Sequence, residues 1–190
     1  MRKKLLIFIV LMVGAFIAGI VFAPLLQEKT YHLKEWIKRP VSLPPVSKVV
    51  TLYFSTPEDE LLVPVERKII INDTRNINDQ IRKIIQELIK GPQTSSFLST
   101  LPPQTKLRAV YTREDVIYVD FSSSLIENHP GGTSAELVSI YSIVNTLLEN
   151  FPSYSRVQIL IEGKPHSTLA GHIDIRQPFR KNTKIIKTTE

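Results

Sequence analysis

The 190-residue chain contains no cysteine. That excludes disulfide bonds, thiolate metal sites, a thiol nucleophile and a cysteine to carry a lipid. It fits a chain living outside a reducing cytosol without covalent staples. Charge imbalance is also missing where a nucleic-acid reading would need it. The formal net charge is +6, but residues 1–47 hold seven Lys or Arg against Glu28 and Glu35, leaving 17 basic and 16 acidic residues for the rest. The basic excess lies beside a hydrophobic segment and in the tail after Arg176, which suits anionic lipid headgroups better than a duplex. Nucleic acid is therefore not an expected partner. No Gly-x-Ser-x-Gly, Walker-type glycine loop, zincin histidine pair or internal repeat occurs.

What is present begins with an anchor. After Met1-Arg2-Lys3-Lys4 the chain runs uncharged from Leu5 to Leu26; as a helix this run would be about 33 Å long, enough for the ~30 Å hydrocarbon layer. A cleaved signal peptide is the alternative, with Val21-Phe22-Ala23 at the usual places. Pro24 directly after them and the length of the run argue for an uncleaved span over residues 1–26. The short basic head favours its own retention in the cytoplasm, with the remainder of the chain outside. Residues 27–47 read as a juxtamembrane linker. Tyr31 and Trp36 suit a lipid interface or a plain polar tether, and Pro40, Pro44 and Pro45 stiffen the approach to the domain.

The domain is expected over residues 48–180, with a loose polar tail over 181–190. Val50, Leu52 and Phe54 alternate as a strand. Leu61 to Ile71 form a second strand, with Pro64 at an edge or bulge. Asn78 is the expected cap of a helix with Ile81, Ile84, Ile85, Leu88 and Ile89 on its buried stripe, ended by Gly91-Pro92. Leu107 to Thr112 and Val116 to Phe121 form a hairpin across Arg113-Glu114-Asp115. Gly131 and Gly132 then supply positive backbone angles at a helix start. Thr133 and Glu136 make a capping box, and Leu137, Ile140, Tyr141, Val144, Leu147 and Leu148 form one apolar stripe. Val157, Ile159 and Ile161 are the next strand, turned at Glu162-Gly163-Lys164, with a short last strand near His172 to Ile175. Strands with one polar face and two one-sided helices predict an α+β, two-layer sandwich: a mixed open sheet with both helices on one face.

Chemistry-bearing residues are few. Asp120, Ser122, Ser123, Ser124 and His129 would make a hydrolase only if a base and its orienter came within reach of a hydroxyl; serines after a strand are more often turn formers. His166, His172 and Asp174 lack metal-site spacing, and Glu58, Asp59 and Glu60 lack that of a calcium loop. No catalytic, cofactor or metal residue is assigned. Asp120 and Gly163 are expected as turn residues, and Tyr53, Tyr118, Arg108 and Gln158 as an interaction surface on the outward sheet face.

Several stretches in order resemble successive signatures of the GerMN domain of sporulation and spore germination proteins. They are Val49 to Phe54, Leu62-Val63-Pro64-Val65, Lys90-Gly91-Pro92, Leu101-Pro102-Pro103-Gln104-Thr105, Val119-Asp120-Phe121-Ser122, Gly131 to Glu136 and Ile161-Glu162-Gly163-Lys164. The resemblance implies an extracytoplasmic, non-enzymatic module without cofactor, related in shape to ring-building domains of the complex between mother cell and forespore. The family's namesake carries two copies and a lipid-attachment cysteine; this chain has one copy and, in place of the lipid, the Leu5 to Leu26 run. The expected role is a membrane-tethered assembly module that makes its contact through the exposed sheet face or an unpaired edge strand, with envelope or sporulation-complex proteins, or further copies of itself, as partners. The alternative is a module binding cell-wall glycan or a small ligand, with Tyr53, Tyr118 or Trp36 stacking on sugar.

Overall fold

The computed structural model describes residues 12–13 and 45–188. All of the expected membrane span but residues 12–13, and most of the linker, lie outside the described residues, and no helix among those described is long and apolar enough to cross a membrane. The chain divides into units Met1–Ser42 and Leu43–Glu190, and the second holds the domain.

The elements of this unit are β1 (Val46–Ser55), β2 (Leu62–Ile71), α1 (Ile77–Ile89), β3 (Leu107–Arg113), β4 (Val116–Phe121), a single-turn α2 (Ser124–Glu127), α3 (Thr133–Asn150), β5 (Arg156–Ile161) and a short 3-10 turn at Thr183–Ile185. The fold is α+β, as the periodicities predict. The strands divide into two sheets, however: an antiparallel β1-β2 ribbon, and a mixed sheet ordered β3-β4-β5 in which β3 and β4 are antiparallel and β4 and β5 parallel. The helices α1 and α3 lie against strands of both sheets and touch each other. One core joins them. Leu52, Phe54, Ile69 and Ile71 from the ribbon meet Ile81, Ile84, Ile85 and Leu88 of α1, Ile117, Val119 and Phe121 of β4, Ile140, Ile143 and Leu147 of α3, and Val157 and Ile159 of β5.

Two helix starts differ from expectation. Asn76, not Asn78, caps α1, its side chain accepting from the amides of Asn78 at 3.0 Å and Asp79 at 3.4 Å. At α3 there is no capping box. Gly132 is the N-cap, with φ +86°, and no side chain caps the first turn. Glu136 is drawn away instead: it is fully buried, and its carboxylate accepts from the amides of Leu169 at 2.8 Å, Ala170 at 3.0 Å and His172 at 2.9 Å. Three backbone donors in a closed loop outcompete the single amide that Thr133 could offer the carboxylate, and Thr133 stays exposed.

The single apolar stripe expected of α3 is also incomplete, because the helix is enclosed on further sides. Ser139, Ser142, Asn145 and Thr146 are buried. Each has a partner: Thr146 Oγ1 accepts from the Tyr53 amide at 3.1 Å, Asn145 exchanges two hydrogen bonds with the backbone of Asn182, Ser139 donates to the Thr100 carbonyl at 2.6 Å, and Ser142 donates to the Ser139 carbonyl at 3.1 Å. Further along the helix, Asn150 takes the place of a neighbouring strand. Its Oδ1 accepts from the Thr51 amide at 3.1 Å and its Nδ2 donates to the Thr51 carbonyl at 2.7 Å. The outer edge of β1 is thereby occupied, and Ser55 adds a bridge to Leu98. Asn150→Ala is expected to cost about 2 kcal/mol, since both backbone groups of Thr51 lose their partner in a part-buried site; thermal melts would measure it.

The tail is not loose over its described part. Ile185 is buried against Tyr53, Leu62 and Val138, the Lys187 amide donates to the Leu62 carbonyl at 2.8 Å, and just before the tail Phe179 pairs with Val157. No strand forms at His172 to Ile175; that segment is instead held by Glu136 and by the Ser167 carbonyl, which accepts from the Ile175 amide at 2.9 Å.

Candidate interaction surface

The two-residue turn at Glu114-Asp115 pairs Arg113 with Val116, and counting back along both strands sets Tyr111 opposite Tyr118. Their side chains point away from the core, as the alternation with Val110, Ile117 and Val119 requires. The rings stack, with centroids 4.8 Å apart and planes within 8°. Tyr111 is 43 % exposed and Tyr118 half-buried. Burial, with smaller contributions from Tyr118 and Asp120, raises the Tyr111 hydroxyl pKa, so this hydroxyl is neutral at physiological pH.

Beside the stack lies a charged cluster built on an irregularity. A register shift between Leu107 and Ala109 leaves Arg108 without a strand partner. Its guanidinium stands 3.5 Å from Asp120 and 2.7 Å from Glu162. Asp120 also accepts from the Gly163 amide at 2.7 Å, and Glu162 from the Ser123 amide at 2.9 Å. Glu162 and Gly163 both have positive φ, +52° and +78°. They form the two-residue turn that pairs Ile161 with Lys164. At the other end of the face Asp115 binds Arg156 at 2.6 Å and Ser155. Hydrogen bonds from Arg156 and Ser155 hold its carboxyl well below the usual carboxylate range.

Of the four residues expected on this surface, Tyr118 and Arg108 are there and two are not. Gln158 follows Tyr118 across the sheet in register but is only 4 % exposed, because the C-terminal segment covers it and the Ile175 carbonyl accepts from its Nε2 at 2.9 Å. Tyr53 is also 4 % exposed and belongs to the other sheet. It packs with Leu62, Val138 and Ile185, and its hydroxyl donates to Glu149 at 3.2 Å; burial first, then Glu149, pushes its pKa up to about 12. Alternation puts both residues on outward strand faces, but packing from distant segments closes over them. Tyr111 takes their place.

The remaining sites are scattered. Gly91, φ +79°, and Pro92 close α1, while Gly131 and Gly132, φ +84° and +86°, precede α3. His129 lies with Ser139, apart from Asp120 and Ser122: its Nδ1 accepts from the Gly131 amide at 3.1 Å, so the proton sits on Nε2, 3.0 Å from Ser139 Oγ. Ser139 in turn donates to the Thr100 carbonyl. In that arrangement the imidazole is a donor to the hydroxyl, and no base is available to activate it. Burial lowers the His129 pKa, against a smaller raising effect of Glu136, which keeps the ring neutral. His166 binds the Thr168 carbonyl, His172 the Glu136 carboxylate and Asp174 the Arg176 guanidinium. Among the described residues no cluster of three or more His, Asp or Glu is placed to hold a metal ion.

A family profile described as "Germane: Sporulation and spore germination" matches residues 51–167. The chain belongs to this family. The match runs from β1 to the loop after β5 and so takes in both sheets, α1, α3 and the Tyr111–Tyr118 face. Among solved structures, the tandem GerMN domains of the sporulation protein GerM from Bacillus subtilis superpose with a TM-score of 0.55 at 19 % identity, covering 78 % of this chain and 51 % of that one. A candidate lipoprotein from Clostridium perfringens gives a TM-score of 0.51 at 22 % identity, covering 73 % of this chain and 89 % of that one. These likenesses establish the Germane fold here. The chain spans about half the length of the tandem protein. No protein of curated function matches it.

Proposed function

We propose that this Germane-family chain is a membrane-tethered, extracytoplasmic assembly module of the sporulation or germination envelope, and that it works by protein contact without catalysis. The observation that carries the reading is the Tyr111–Tyr118 stack on the outward face of the β3-β4-β5 sheet, rimmed by Arg108 and Glu162. Rigid, amphipathic aromatic area beside charged groups is the composition of a contact surface. Asn150 and Leu98 cover the outer edge of β1 at Thr51 and Ser55, which favours the tyrosine face over that part of the edge. Tethering rests on the uncharged Leu5 to Leu26 run and on the likeness to a candidate lipoprotein.

Two measurements test this reading. A cysteine placed at the exposed Lys164 is unique in the chain, and a membrane-impermeant maleimide should label it in intact cells; labelling only after lysis would contradict an extracytoplasmic domain. Purified chain should remain in solution when peptidoglycan sacculi are sedimented. Retention on the sacculi would replace the assembly reading with glycan binding.

A further inference from the structure

The groups that meet β1 from outside fix which backbone atoms of β2 face away from it. Asn150 holds both backbone groups of Thr51, Thr146 takes the Tyr53 amide, and the Ser55 carbonyl accepts from the Leu98 amide. Thr51, Tyr53 and Ser55 therefore turn their backbone groups away from β2, and their cross-strand partners Glu66, Pro64 and Leu62 turn theirs away from β1. The Leu62 carbonyl agrees with this phase, since it accepts from the Lys187 amide on that side. The ladder runs on without a bulge, so Lys68 and Ile70 follow the same alternation.

The C-terminal segment meets this outer edge of β2 at its start. Ile186 bridges to Leu62 in parallel, but Pro64 has no amide with which to continue the ladder. Beyond it, the backbone amides and carbonyls of Glu66, Lys68 and Ile70 have no partner among the described residues. Such an edge accepts another strand. Its side chains specify which one. Glu66 and Lys68 are exposed on the outward face and form no ion pair among the described residues. Ile70 is 61 % exposed, and Val49, 58 % exposed, stands diagonally beside it.

Laid antiparallel against itself about Arg67, the strand sets Glu66 opposite Lys68 of a second copy, Lys68 opposite Glu66, and Ile70 opposite Pro64. Moving the axis to Glu66 or to Lys68 sets like charges against each other, and a parallel pair in register does the same. We infer that β2 is a self-recognition edge, at which two copies of this chain pair β2 to β2 about a two-fold axis at Arg67. Glu66 and Lys68 of the other copy exchange both backbone hydrogen bonds, with their side chains forming an ion pair on the outward face, and the Ile70 amide donates to the Pro64 carbonyl. Arg67 itself stays committed to the Glu87 and Gly91 carbonyls of its own copy. The result is one sheet ordered β1-β2-β2-β1. Its outer edges are those of β1, which Asn150 and Leu98 cover at Thr51 and Ser55, so pairing closes at a dimer. The tyrosine face belongs to the other sheet and takes no part.

Sedimentation of the full-length chain in detergent micelles, with micelles in excess over protein, tests this by charge exchange. Wild type should be dimeric at about 100 µM. Glu66→Lys and Lys68→Glu each set like charges across the axis and should each dimerise about tenfold or more weaker. An equimolar mixture of the two variants makes every cross-axis pair opposite in sign and should regain the wild-type dimer. Both side chains are exposed, so neither change should move the melting temperature by more than a few degrees. Raising the wild-type concentration should slow hydrogen exchange at the amides of Glu66, Lys68 and Ile70 but not at those of Val65, Arg67 and Ile69, which already face β1. Tyr118→Glu should dimerise as wild type does, which separates this edge from the contact proposed for the tyrosine face. A monomeric wild type, a dimer of full strength in both single variants, or a mixture no more dimeric than its components would each overturn the assignment.

Discussion

Arg67→Ala is expected to lower the melting temperature by about 10–15 °C, the largest effect of any single charged side chain in the domain. Arg67 projects from the inner face of β2 and is 6 % exposed. Its Nη1 donates to the Glu87 carbonyl at 2.9 Å and its Nη2 to the Gly91 carbonyl at 2.7 Å, with the Glu87 carboxylate 3.6 Å away. The guanidinium also lies 5.6 Å from the centroid of Phe54. It thus caps the C-terminus of α1 from a neighbouring strand, where orphan carbonyls and the negative end of the dipole coincide. Removing it leaves two carbonyls and one carboxylate short of a partner in a dry site, a loss of about 3–5 kcal/mol. Lys90 and Lys83 also touch Glu87, at 2.7 and 3.3 Å, but from the solvent side, where such pairs are worth about 1 kcal/mol or less. Arg67→Met, which restores the stem against Phe54 but no donor, should recover less than half of the loss. Recovery to wild-type stability would mean that packing alone matters at this position.

Glu136 is expected to be nearly as sensitive, and in a pH-dependent way. It organises the Leu169 to Ile173 loop through backbone amides, and His172 Nδ1 stands 3.3 Å from its Oε2. Burial pushes the carboxyl pKa up, but the amides of Ala170, His172, Leu169 and Ile173 together outweigh burial and hold it below the ordinary value. A depressed folded-state pKa contributes stability that is present above the unfolded value of about 4.3 and is lost as pH falls through the folded one. Glu136→Ala should therefore cost about 3–4 kcal/mol at neutral pH and less as the solution is acidified below about pH 4. In Glu136→Gln one oxygen can still accept from Leu169 and Ala170, but an NH2 group then faces the amide of His172, for a loss of about 2 kcal/mol. Hydrogen exchange at those three amides should accelerate in both variants, while the amides of β4 keep their protection relative to global unfolding. Uniform acceleration across the domain would indicate that the loop is not a separate unit.

These two residues also mark where sequence reasoning stops. Period-two alternation at Ile117, Val119 and Phe121 and the apolar spacing of α1 depend on near neighbours, and the structure follows them. The stacked tyrosines were within reach too, because a two-residue turn at Glu114-Asp115 dictates which residues oppose one another. Glu136 offered a local partner, Thr133, three residues back; its actual partners lie more than thirty residues ahead, and no spacing rule reports a carboxylate held by a distant loop. Arg67 interrupts an apolar inner face, which is a visible anomaly, but the carbonyls it serves are fixed only by how β2 meets α1. Tyr53 and Gln158 were misplaced for one physical reason: alternation gives the face of a strand, whereas exposure depends on what else packs there. Here that is α3 and the C-terminal segment. Division into two sheets instead of one has the same origin, since α3 side chains supply the hydrogen bonds along the edge of β1 that an adjoining strand would have made.

The measurement that bears most directly on the assembly role is crosslinking in intact cells during growth and during sporulation, with the full-length chain as bait, comparing wild type with Tyr118→Glu. The substitution places a charge beside Tyr111 on a half-exposed face and should leave the melting temperature within a few degrees of wild type. The expected result is capture of envelope or sporulation-complex proteins by the wild-type chain and loss of that capture in the variant. Equal capture by both, or adducts of the chain with nothing but itself that persist in Tyr118→Glu, would contradict an assembly role for the tyrosine face.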